Sequence, residues 1–159
     1  VTDTDAEGRL ILCDALAYCV KTYKPNKMIN IATLTGAVIH GLGRTVAAVM
    51  GNSDGVCNEL IEAGSTVHER LWQMPLYDDH RKLMESQYAD IINLNEGREA
   101  GLVQGGVFLR EFVADTDWAA IDIGGTAWNY RFSPYIKDNC ASGYGARLLS
   151  QWALNCAKQ

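Results

Sequence analysis

Basic residues are the minority class in this sequence. Lys and Arg number 14 against 19 Asp and Glu, a net charge of −5 over 159 residues, so the excess of positive charge that binding to phosphate backbones demands is missing. Nucleic acid is not expected as the main partner. Proline is scarce at 3 residues, and no internal repeat, low-complexity tract or Pro-, Gly- or Ser-rich stretch offers a flexible linker. One domain of ordinary size, with a real core, is the expectation. Long apolar runs are also missing. The longest uncharged stretch, residues 28–43, carries Asn30, Thr33, Thr35 and His40, which makes it too short and too polar to span a bilayer. No pair of cysteines has metal or redox spacing: Cys13, Cys19, Cys57, Cys140 and Cys156 are odd in number and scattered. They read as reduced, buried thiols, which favours the cytoplasm. An initiating Met is absent too, and charge and glycine crowd the first nine residues, so the chain is expected to be a fragment.

What is present is ordinary globular composition, 48% apolar and 21% charged, arranged as alternating strand and helix signals. Residues 10–23 carry a helical stripe of Leu12, Ala15, Leu16, Cys19 and Val20 that Pro25 stops. Residues 28–32 and 45–50 are short apolar runs that read as buried strands, each delivering a Gly-containing loop. Helices are predicted over 56–70, 78–86, 101–113 and 142–157, and strands over 88–94 and 118–123. Strands apolar nearly throughout, alternating with helices, imply an α/β domain layered α/β/α around a largely parallel sheet. The order of the strands is not legible.

Several motifs invite a chemical reading. Gly41 and Gly43 hint at a dinucleotide fingerprint, but Val46 stands where its third glycine belongs and a strand follows, so a phosphate would find no helix N-terminus. His40, His68 and His80 are dispersed, and Trp72 occupies the position a second zinc-binding His would take after His68-Glu69. Asp5, Glu7 and Arg9 are the sharper signal. In an extended segment alternate side chains share one face, and two carboxylates held together ask for a cation between them. A second reading stands beside it: Thr4 and Glu7 fit a capping box at the start of the first helix.

The segment Asp3-Thr4-Asp5-Ala6-Glu7-Gly8-Arg9-Leu10 closely resembles the signature of the leucyl aminopeptidase family of two-metal cytosolic aminopeptidases. The likeness continues in family order through Ala32-Thr33-Leu34-Thr35-Gly36-Ala37, Tyr88-Ala89-Asp90-Ile91-Ile92-Asn93 and Asp122-Ile123-Gly124-Gly125-Thr126-Ala127-Trp128. Two departures are local: Asp3 where the family pattern has Asn, and Glu96-Gly97-Arg98 where it often has Gly-Gly-Arg. The resemblance implies that Asp5 and Glu7 ligate two divalent metal ions, Zn or Mn. It implies that Arg9 is catalytic, holding a bicarbonate that serves as general base. It places Thr33, Leu34, Thr35, Gly36, Gly124 and Ala127 around the substrate's first side chain. The implied activity is removal of N-terminal residues, preferably apolar, from peptides, in a homo-hexamer. The family's other ligands, a Lys and two Asp, and its second catalytic Lys lie upstream of the signature. The chain is therefore expected to be the C-terminal part of a catalytic domain and inactive alone. The alternatives are an oligomerisation or binding module, and an unrelated nucleotide-binding α/β domain resting on Gly41 and Gly43.

Overall fold

The computed structural model describes residues 5–95, 97, 99–128, 136–137 and 139–158. In chain order the elements are α1 (Ala6–Tyr23), β1 (Lys27–Ala32), α2 (Ala37–Leu42), β2 (Ala47–Gly51), α3 (Asp54–Thr66), β3 (Leu71–Gln73), α4 (Asp78–Lys82), α5 (Gly101–Arg110), β4 (Asp117–Asp122) and α6 (Ala146–Cys156). The 4 strands form one sheet in the order β1-β4-β2-β3. β1 runs parallel to β4 from Lys27↔Asp117 to Ala32↔Asp122, and β2 runs parallel to β3. The central pair, β2 with β4, is antiparallel. The sheet is thus mixed and mostly parallel.

Both faces are covered, as the near-continuous apolar strands require. Alternation along β4 assigns Trp118 and Ala120 to a core shared with Cys13 and Leu16 of α1, Val38 of α2 and Val107 and Phe108 of α5. Ala119 and Ile121 face the opposite core, with Val56, Cys57 and Leu60 of α3 and Leu148 of α6. The result is the expected α/β/α layering. An unforeseen anchor is Glu69, only 3% exposed. Its Oε2 accepts the N–H groups of Gly145 and Leu148, each at 3.0 Å, and so closes the N-terminus of α6 from outside that helix. The Tyr144 hydroxyl donates to the Arg70 carbonyl beside it.

Several expectations need correction. The first helix begins at Ala6, not at residue 10, so Glu7 and Arg9 are helical and do not share the face of an extended segment. Asp5 is its N-cap, in an αR conformation and without a side-chain cap bond; Thr4, the other half of the expected capping box, lies outside the described residues, as do Glu96 and Arg98. The helix ends where expected, at left-handed Lys24 before Pro25. Residues 88–94 are irregular instead of a strand. Tyr88 is 96% exposed, and its N–H and that of Ala89 turn back to the Ser86 hydroxyl instead of meeting a neighbouring strand. α3 stops at Thr66, because left-handed His68 reverses the chain, and residues beyond it form β3, which the apolar pattern did not reveal. α4 and α6 are shorter than predicted. The short helix α2 went unread, and it is what precedes Gly43, where the dinucleotide reading wanted a strand. All five cysteines are free thiols. Only Cys13 and Cys57 are buried; Cys140 is exposed.

Candidate active site

The parallel pair β1 and β4 ends on the same side of the sheet, and the loops that leave those ends bring the resembling segments together. This is where open α/β sheets bind ligands. Residues 33–36 follow β1 directly. The N-terminus of α1 comes down beside them, and the Asp5 Oδ2 atom accepts the Gly36 N–H at 2.8 Å. Opposite stands α5, whose Gly105 lets it close on the site: a Cβ there would lie 2.8 Å from Leu34 Cγ and 3.2 Å from Arg9 Nε. Between these walls is a cleft of about 710 Å³ lined by Asp5, Arg9, Thr35, Gly36, His40 and Gln104, among others.

Arg9 is 3% exposed, a burial rare for a permanently charged group. Its Nη1 donates to the Asn93 carbonyl at 2.7 Å. Asn93 completes the clasp by donating from Nδ2 to the Ala6 carbonyl at 2.8 Å, so the irregular segment 88–94 fixes the first turn of α1. Glu7, two residues before Arg9 on the same helix, is half-buried. Its Oε2 atom is buried without a hydrogen-bond partner. A carboxylate oxygen in that condition is costly, and a cation is the partner that suits two hard oxygen donors, Asp5 and Glu7, on one helix start. The residues therefore fit a divalent metal. They do not complete one: among the described residues no group of three or more His, Cys, Asp or Glu side chains converges.

Behind the cleft lies Asp122, fully buried at 0% exposure. Its Oδ1 accepts the Leu34 N–H and the Gly124 N–H, each at 3.0 Å, and its Oδ2 accepts the Thr35 hydroxyl at 2.7 Å. Burial pushes its carboxyl above the ordinary aspartate range, while the Thr35 hydroxyl and the N–H groups of Gly124, Thr35 and Leu34 pull the other way. Sequence reasoning gave this residue no role. The available signal was a charge closing an otherwise apolar buried strand.

Of the residues singled out in the sequence, Asp5, Arg9, Thr35 and Gly36 meet around the cleft. Leu34 is buried behind it, and Thr33 is exposed at the loop's start. Gly124 abuts the same loop, and a Cβ there would lie 2.4 Å from the Thr35 carbonyl oxygen. Ala127 sits one turn on, its N–H donating to the Ile123 carbonyl and its own carbonyl accepting from Ser142. Gly124 and Ala127 are not among the residues lining the cleft.

Comparison with known proteins agrees in one direction. A profile described as the cytosol aminopeptidase family, catalytic domain, matches residues 1–150. A probable cytosol aminopeptidase of Rhizobium leguminosarum bv. trifolii (strain WSM2304) is 48% identical over 153 residues, covering 95% of this chain and 30% of the relative. One from Sinorhizobium fredii (strain NBRC 101917 / NGR234) is 47% identical over 153 residues with the same coverage. One from Geobacter sp. (strain M21) is 46% identical over 152 residues, 96% of this chain and 30% of its own length. The chain thus spans about 30% of the length of the curated relatives it matches.

Proposed function

The chain belongs to the cytosol aminopeptidase family, and from that premise we propose that it forms part of an active site that removes N-terminal residues, preferably apolar ones, from peptides. Asp5 and Glu7 hold two divalent cations, Zn or Mn, together with ligands from outside this chain. Bound there, the cations lower the pKa of a water and polarise the scissile carbonyl. The observation that carries the reading is the unpartnered, buried Glu7 Oε2, two residues along the chain from Asp5 and from Arg9, which both wall the cleft.

The other residues take roles their chemistry allows. The bond from Gly36 N–H fixes the Asp5 carboxylate in orientation, as second partners do for metal ligands. Arg9 cannot accept a proton at neutral pH. Its role is to hold an anion, bicarbonate, that serves as base. The N–H groups of Leu34 and Gly36 are already committed to Asp122 and Asp5, the Gly36 carbonyl accepts the Ile39 N–H and the Thr35 carbonyl abuts Gly124. In the loop of Thr33, Leu34, Thr35 and Gly36 it is therefore the carbonyls of Thr33 and Leu34 that meet an extended peptide. Gly124 and Ala127 flank the pocket for the first side chain. Assembly as a homo-hexamer in the cytoplasm belongs to the same proposal. Zinc wants about four ligands per ion and two carboxylates offer about four oxygens in all, so this chain by itself is proposed to be inactive.

Hydrolysis of leucyl p-nitroanilide tests the reading in a protein of full family length carrying these residues, supplied with Mn²⁺ or Zn²⁺. Turnover is expected, falling by more than about 100-fold in Glu7→Gln, beyond the loss typical of a ligand's outer partners. Absence of turnover, or a Glu7→Gln variant of wild-type rate, refutes it.

A further inference from the structure

Asp122 joins two loops that the sheet itself no longer holds. The β1–β4 ladder ends at Ala32↔Asp122, with one further bond from Ile123 N–H to the Ala32 carbonyl at 2.9 Å. Past that point the two loops are joined through the Asp122 carboxylate: Leu34 N–H and the Thr35 hydroxyl come from one loop, Gly124 N–H from the other. The Thr35 oxygen in turn accepts the Val38 N–H at 3.2 Å, tying the same node to the first turn of α2. A buried carboxylate is a poor way to gain stability, since desolvation offsets much of what its bonds return. What it gives is geometry. With Leu34 and Thr35 held from below, the next residue presents its N–H to Asp5 Oδ2.

We propose that Asp122 is a positioning residue of the cleft: it fixes the Leu34–Gly36 backbone so that Gly36 orients the Asp5 carboxylate and the Leu34 carbonyl is held for an incoming peptide. This rests on the aminopeptidase reading above. A carboxylate is required because both of its oxygens accept. In Asp122→Asn, Oδ1 still serves two N–H groups, but an NH₂ faces the Thr35 hydroxyl, whose proton loses its acceptor. The Thr35 oxygen, which already accepts the Val38 N–H, must then accept from the amide as well and turn its own proton away. The bond reverses and leaves a buried hydroxyl proton unpaired, which displaces the loop.

The test compares wild type, Asp122→Asn, Thr35→Val and Thr35→Ser in the protein of full family length. Thr35→Val cuts the same bond from the other side, and Thr35→Ser restores the hydroxyl. kcat and KM for leucyl p-nitroanilide are measured with Mn²⁺, alongside amide hydrogen exchange at Leu34 and Gly36 and the melting temperature. Asp122→Asn and Thr35→Val are expected to exchange faster at both amides and to lose about 10- to 100-fold in kcat/KM, the scale of a misplacement of about 1 Å. Thr35→Ser keeps the hydroxyl and its bond to Asp122, so exchange at Leu34 and Gly36 should return to the wild-type rate. Wild-type kcat and KM in the two broken variants, or losses that vanish once the unfolded fraction is subtracted, overturn the proposal. An inactive wild type overturns the aminopeptidase reading and this role with it; an active wild type with unaffected variants overturns this role alone.

Discussion

Replacing Gly124 by alanine puts a methyl group where the neighbouring loop already lies. The added Cβ would sit 2.4 Å from the Thr35 carbonyl oxygen, 3.0 Å from Val38 Cγ1 and 3.2 Å from Asp122 Oδ1. Ordinary contact lies about 1 Å further out than the shortest of these. The obstructing atom is backbone, so no side-chain rotation relieves it. Overpacking of this kind costs about 1–3 kcal/mol, and a chain of this length loses roughly 2–4 °C in melting temperature per kcal/mol, so Gly124→Ala is expected to melt roughly 2–12 °C lower. Gly36→Ala is the control. Its Cβ would meet only Asp5 Oδ2, at an ordinary 3.7 Å, and its φ of −70° suits alanine. Both substitutions lower the entropy of the unfolded chain alike, by about 0.4–1 kcal/mol, so their difference isolates the contact. Thermal unfolding followed by circular dichroism measures the cost. Hydrogen exchange at Leu34 and Gly36 measures whether the loop moved. A Gly124→Ala variant that melts with the wild type and leaves both amides unchanged would refute the close approach of the two loops. It would return Gly124 to the role of making room for a substrate side chain.

Three other outcomes follow from single groups. Glu69→Ala removes the acceptor of two N–H groups at the start of α6 and should cost about 2–5 kcal/mol in a urea titration, with Glu69→Gln losing less than half of that; equal stability of all three would show that α6 needs no such cap. Burial raises the Cys57 thiol to about 11, leaving about one thiolate in a thousand at pH 8, so a thiol reagent should modify exposed Cys140 in the native chain and reach Cys57 only on unfolding. The hydrogen bond from Lys27 holds the Glu59 carboxyl below its ordinary value, with Trp152 Nε1 assisting and burial opposing. A lowered value means stability present above the unfolded value and lost as pH falls through the folded one. Melting curves between about pH 6 and pH 3 should therefore fall less steeply in Glu59→Gln than in wild type. Asp122, whose value is raised, works in the opposite sense: its charged form costs stability at neutral pH, and protonation relieves that cost.

The layers were legible because burial on both faces writes itself into composition. Residues 118–121 are apolar without interruption, and β4 and its two cores lie where that run predicted. The first turn of α1 was not legible for the reason that makes it a site. Gly8 and two carboxylates are poor helix formers or N-terminal residues by propensity, and what holds them helical is Asn93, more than eighty positions away. Residues 88–94 misled in the opposite way. Ile91 and Ile92 pack on the core that α1 and α5 share, which gives a strand-like apolar run to a segment whose backbone bonds go to the Ser86 and Arg9 side chains and the Met84 carbonyl, not to a neighbouring strand. β3 was too short to show a period, and the strand order depends on loop crossovers that hydrophobic patterning does not encode. Residue types at the cleft were readable as chemistry. Their convergence was not, because it depends on where two parallel strands end.

Among the described residues, acids with buried oxygens divide by how fully those oxygens are satisfied, and that division separates structure from chemistry. Glu69 spends Oε2 on two N–H groups and Oε1 on Arg147. Asp122 spends both oxygens on three donors. Glu7 keeps a buried oxygen with no partner. A group in the last condition is a liability to the metal-free chain, about 1–3 kcal/mol or more for a charged acceptor, and becomes an asset only when a cation arrives. Glu7→Gln removes the charge and keeps the shape, so the two states should respond with opposite sign. Without metal, the variant is expected to melt at or above the wild-type temperature. With Mn²⁺ at about four times its dissociation constant, the wild type should gain about 1 kcal/mol, while the variant gains less. Calorimetric melts of both proteins, with chelator and with Mn²⁺, make the comparison. A Glu7→Gln variant that is destabilised without metal, by as much as Glu69→Ala, would mean that Glu7 is an ordinary structural acid, and the assignment of the cation to this helix start would fall with it.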